Sequence, residues 1–135
     1  MSNGAMITVV DSEEKPSHEC SGAKSFIANV GTFYGELGLE PGRFQRWTLE
    51  FGADCMGVSP TGETLIPEFP VFSKVAWMDI DPVVIKDADL FALIVECALI
   101  CTKALSSEVA AEADAIRRLA ECAISKQLAL KFDHS

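Results

Sequence analysis

Three cysteines stand where thiolates could converge. Cys97 and Cys101 are four residues apart, one helical turn, and Cys122 falls on what reads as the neighbouring helix. Facing thiolates can bind zinc, but a structural site takes four ligands and closely spaced pairs such as C-x-x-C, which are absent. The only histidines, His18 and His134, lie near the two ends of the chain. The three cysteines therefore read as buried thiols acting as small hydrophobes, with no metal site and no cofactor expected. His18-Glu19-Cys20 sets a base beside a thiol. Adjacent residues in an aperiodic segment do not hold a nucleophile in register, and nearby acids raise a thiol pKa rather than lower it. No G-x-S-x-G or H-E-x-x-H occurs, and GETLIP at 62–67 lacks the lysine and glycine spacing of a phosphate loop. No catalytic residue is assigned, and the balance leans away from an enzyme.

Carboxylates are the other source of chemistry. Residues 90–101, LFALIVECALIC, hold one acid, Glu96, in an apolar run. On a single helix, Asp89, Glu96 and Lys103 recur every seven residues and so share one narrow stripe. That spacing predicts Glu96 in a thin solvated seam, because an unpaired buried charge is expensive. Upstream, WMDIDPVVIKDAD at 77–89 carries Asp79, Asp81, Asp87 and Asp89 against only Lys86. The plain reading is a helix start whose acids favour the dipole. The sharper reading is a carboxylate rim around an aromatic anchor, Trp77, able to engage arginines on a protein partner. Trp77, Asp79, Asp81, Asp87 and Asp89 are accordingly the candidate partner-binding residues. The loop lacks the glycine and final glutamate of a calcium-binding EF-hand.

These groups need elements to hold them. AMITVV at 5–10 reads as a short strand and 11–22 as a flexible arm. In KSFIANVGTFYGEL, 24–37, Phe26, Ile27, Val30, Phe33, Tyr34 and Leu37 fall at helical spacing, with Ser25 as cap and Gly38 as stop. Residues 42–56 fit either a helix or a strand. SPTG at 59–62 has the signature of a type I turn, so 55–69 reads as a hairpin, and 72–80 as a further strand. Asp81-Pro82 suits the start of a helix to about Leu105. Ser106 or Ser107 then caps a second helix to about Phe132, its facing row being Val109, Ala113, Ile116, Ala120 and Ala123. The first of these helices is apolar over most of its circumference and must be covered on both flanks, by the hairpin partner and by the first helix, the sheet or a second copy.

The fold class that follows is α+β: an N-terminal amphipathic helix, a small antiparallel hairpin or sheet region, and a C-terminal long helical hairpin, with an all-α arrangement as runner-up. Residues 23–135 read as a single globular domain, since 135 residues suit one core. The net charge of −9 is uneven: residues 61–100 hold seven acids against two lysines. Such a surface disfavours direct nucleic acid binding and suits a protein partner with a basic surface. The apolar run is too short to cross a membrane. Five cysteines without a secretory signal point to free thiols in the cytoplasm. The leading functional expectation is a small acidic interaction protein of inhibitor, immunity or adaptor type, without catalysis. The alternatives are a small-molecule or enzyme module with a pocket between sheet and helical hairpin, and a structural subunit of a larger assembly. A homodimer is compatible with each.

Overall fold

A computed structural model describes residues 4–28, 30–40, 42–52, 57–76 and 82–134. Within them the chain is mixed α+β, with four strands and five helices in the order β1 (Ala5–Val10), β2 (Ala23–Ser25), α1 (Val30–Leu37), α2 (Gly42–Phe51), α3 (Phe72–Val75), β3 (Val83–Ile85), α4 (Ala88–Lys103), α5 (Ser107–Ser125) and β4 (Ala129–His134). The strands form one antiparallel sheet in the order β2-β1-β4-β3.

Alternation along the strands decides which sheet face is covered. Ala5, Ile7 and Val9 of β1 are buried, whereas Met6 is half exposed. Ile7 pairs with Phe132, which pairs in turn with Val83. Val9 pairs with Leu130, which pairs with Ile85. These side chains meet the helical hairpin, where Leu90, Leu93, Cys97 and Ile100 of α4 pack with α5. All five residues of the expected facing row on α5 are buried, joined by Leu119. Small alanines there let the two helices approach closely. The Ser106 hydroxyl caps α5 by accepting from the Val109 N–H at 3.2 Å. Asp114 bonds Arg118 one turn on at 2.9 Å, the expected spaced pair.

Several boundaries differ from the sequence reading. The first helix begins at Val30, because Ala23–Ser25 is taken up as an edge strand beside β1. The sheet is not built from the middle of the chain. Residues 57–66 make a tight turn with one bridge, Val58 to Thr64, and Phe72–Val75 is a helical turn rather than a strand. Gly42–Phe51 is helical, burying Trp47, whose ring centroid lies 4.6 Å from that of Phe51. Pro82 does not open a helix: it precedes β3, and α4 starts six residues later. The second long helix ends at Ser125, and the apolar residues after it alternate into β4.

Residues 11–22 are folded back on the body of the protein. Asp11 accepts from the Glu13 and Lys15 N–H groups, and Ser17 N–H donates to Val9 O. Cys20 forms a disulfide with Cys122 of α5. The expectation of free thiols throughout is therefore corrected: Cys97 and Cys101 are free, this pair is not, and Cys55 lies outside the described residues. No helix among the described residues is long and apolar enough to cross a membrane.

Candidate interaction surface

Helix α4 has two contrasting sides, and Glu96 fixes which is which. The residue expected in a solvated seam is 5% exposed. Its carboxylate accepts from the Val71 N–H (3.1 Å to Oε1 and 3.0 Å to Oε2) and from the Phe72 N–H (2.8 Å to Oε1). These are unpaired donors at the start of α3, which no side chain of its own caps. Glu96 thus clips the 71–75 turn onto α4, and charged hydrogen bonds to backbone offset part of the cost of its burial. Removal from water still dominates and holds its pKa above the usual carboxylate value, against the lowering effect of the Phe72 and Val71 N–H groups. The seven-residue spacing was geometrically sound, since Asp89 and Lys103 do lie toward solvent, but the 71–72 segment covers the middle of the stripe.

The open side of α4 lies elsewhere. Phe91, Val95 and Leu99 are 59%, 61% and 43% exposed. They recur every four residues and form one ridge along the helix. Exposed Ala88, Ala98 and Thr102 flank them, so no charge interrupts the row between Asp89 and Lys103 except the buried Glu96. Single exposed apolar residues are ordinary, whereas large contiguous apolar patches are rare on a protein surface.

Asp87 opens this helix in an unusual way. The Asp89 N–H donates to Lys86 O at 3.1 Å, closing a four-residue turn with Asp87 at its second position. Asp87 has φ 54° and ψ −127°, the geometry that a II′ turn ordinarily gives to glycine. Its carboxylate makes no capping bond to the helix and is in no ion pair among the described residues. The strain is therefore carried without a local return from the side chain.

The five residues singled out from the sequence fare differently. Trp77, Asp79 and Asp81 lie outside the described residues. Asp87 is exposed, one residue before α4 begins. Asp89 is neutralised by Lys74 at 3.2 Å. The apolar row was not singled out, although its signal was present: a helix apolar nearly all round leaves one flank for something else to cover.

Other features are less organised. The contact between sheet and hairpin, where one alternative reading set a pocket, is lined by buried Ile7, Val9, Leu130, Phe132 and Leu93. A shallow depression of about 620 Å³ lies instead between residues 19–23 and α5, bordered by the disulfide and Arg118. A smaller one of about 280 Å³ sits among the turns of Asp11, Glu14, Asp87 and Gln127. Burial pushes the Cys97 thiol well above its ordinary pKa, which makes it inert. Cys122, the third thiol considered for zinc, is committed to the disulfide.

No protein-family model, no curated protein and no solved structure matches this chain.

Proposed function

We propose that this chain is a non-catalytic protein-interaction module that docks through the outer ridge of α4. The observation that carries the reading is the row Phe91, Val95 and Leu99, held toward solvent on a helix whose opposite side is locked by α5 and by the Glu96 clip. Burying such a row stabilises a complex by roughly 25 cal/mol per Å² of apolar surface, less the cost of association. The helix is already packed on its inner side, so little ordering is needed on binding.

A photo-cross-linking residue at position 95, with position 111 on the exposed side of α5 as control, tests this. Adducts of discrete mass at 95, none at 111, and their loss in a Phe91→Glu background are expected. Equal labelling at both positions, or none at either, refutes the reading.

A second reading, an acidic inhibitor or adaptor gripping a basic protein, draws on the net charge of −9 and on Asp87. It predicts that Asp87→Lys with Asp89→Lys abolishes capture of a basic partner while the fold persists. Its expected setting, a reducing cytoplasm, is at odds with a Cys20–Cys122 bond, and counting free thiols separates the two.

A further inference from the structure

We infer that the Cys20–Cys122 bond is a reducible strap: a small thiol attacks it from the depression between residues 19–23 and α5, and frees residues 18–21 while the fold stays intact. This goes beyond the docking reading and does not depend on it. The depression, about 620 Å³ in volume, is lined by both cysteines. Access decides whether a disulfide is labile: one sealed in a core is reached only when the chain unfolds, whereas one beside an open depression meets a small thiol in the native state. Cys122 is half-buried and Cys20 is 7% exposed, so the Cys122 sulfur is the one offered to solvent.

What holds residues 18–21 decides what reduction does. Both ends of the span are anchored to β1 without the bond. Ser17 N–H donates to Val9 O at 2.8 Å, next to the bridge between Val10 and Pro16. At the other end Gly22 lies so close to β1 that a Cβ on it would stand 2.6 Å from Ile7 O, and Ala23 then pairs with Ile7 in the β2 ladder. Phe26 N–H donates to the Glu112 carboxylate, so the chain just after β2 has its own tie to α5. Among the described residues no hydrogen bond runs from 18–22 to α5, because the Cys122 sulfur, 4.0 Å from Glu19 O, carries no hydrogen while bonded. The disulfide is what clasps this span to the helix. Cutting it releases four residues between fixed ends and uncovers Leu119, 8% exposed, on the floor of the depression.

The exchange balances with the thiol alone. A thiolate RS⁻ attacks the Cys122 sulfur. The new RS–S bond forms, the Cys20–Cys122 bond breaks, and Cys20 leaves as a thiolate that takes up the proton RSH gave to water. A second RS⁻ attacks the R-bearing sulfur of the mixed disulfide, giving RSSR and the Cys122 thiolate, which is protonated in the same way. Two thiols are oxidised and one protein disulfide is reduced. Because both ends of the span stay anchored, Cys20 remains near Cys122, and the reverse exchange with RSSR closes the strap again.

Oxidised wild-type protein is incubated in native buffer with millimolar glutathione, quenched at intervals with iodoacetamide and read by peptide mass; no variant has to fold. The reduction rate rises in proportion to glutathione and changes less than about twofold when urea is added to about 2 M, short of unfolding. A bond reached only through global unfolding would instead be reduced at least about thirtyfold faster at that urea concentration, because small proteins lose stability steeply with denaturant. The trapped intermediate carries glutathione on Cys122 and an alkylated Cys20. After full reduction Cys20 and Cys122 alkylate at similar rates, whereas the fully buried Cys97 stays unlabelled and reports an intact fold. No reduction, a rate that climbs with urea as global unfolding requires, glutathione found on Cys20, or Cys97 labelled in step with Cys20 overturns the strap.

Discussion

Glu96 offers the sharpest check on the architecture, because one side chain holds two elements together. Its Oε1 accepts from both Val71 N–H, at 3.1 Å, and Phe72 N–H, at 2.8 Å. Glu96→Ala leaves both buried donors without a partner. Each stranded donor costs about 1–3 kcal/mol, so the loss for the two is about 2–6 kcal/mol. Glu96→Gln behaves differently. An amide oxygen in the place of Oε1 keeps a bond from each N–H, although the NH2 in the place of Oε2 then stands 3.0 Å from the Val71 nitrogen, and no charge has to leave water, so the cost stays well below that of alanine. The pH dependence separates the two carboxyl states. Burial raises the folded-state pKa of Glu96 above its ordinary value of 4.5. The folded chain therefore holds this proton more tightly than the unfolded chain. The resulting stability is fully present below pH 4.5 and is lost as pH rises through the folded value. The glutamine variant lacks that loss, so its stability relative to wild type should improve from pH 4.5 toward neutral. Denaturant unfolding of the three proteins across that range, with the other carboxylates common to all, isolates the effect. A Glu96→Ala cost under 1 kcal/mol, or a glutamine–wild-type gap that moves the opposite way, would refute the clip.

Three further outcomes follow from local geometry. Asp87→Gly should raise stability by about 1 kcal/mol in thermal unfolding, because glycine adopts φ 54° without strain, and a clear loss would show that the side chain supports the fold. Gly57→Ala should destabilise by about 3 kcal/mol or more, since φ is 76° and the added Cβ would meet Ser73 O at 2.2 Å; a near-neutral melting curve would contradict that packing. Cys20→Ser should lower stability by about 2–4 kcal/mol, because the bond closes a loop spanning 102 residues, and wild type should show no reactive thiol at either position under denaturing, non-reducing conditions. Free thiols there would mean that the bond is not formed.

The helical hairpin was legible in the chain itself. Val109, Ala113, Ile116, Ala120 and Ala123 repeat at helical spacing, Ser106 offers a cap, and a short link forces the two helices to lie antiparallel; these are local facts, and the structure keeps them. The sheet was less legible. AMITVV alternates, but LALKFDH follows a long helix so closely that its periodicity merged with it, and the pairing of β1 with β4 joins residues more than a hundred positions apart. No local signal carries such a pairing, because it depends on which faces remain to be buried once the hairpin has formed. The same holds for α4. Sequence periodicity put Asp89, Glu96 and Lys103 on one line, and that was correct as geometry. Only the tertiary fold decided that the 71–72 backbone would cover Glu96 with two N–H donors, and that Phe91, Val95 and Leu99 would be left in water. Helical spacing fixes the angle at which a residue stands; what stands opposite it is settled by the rest of the chain.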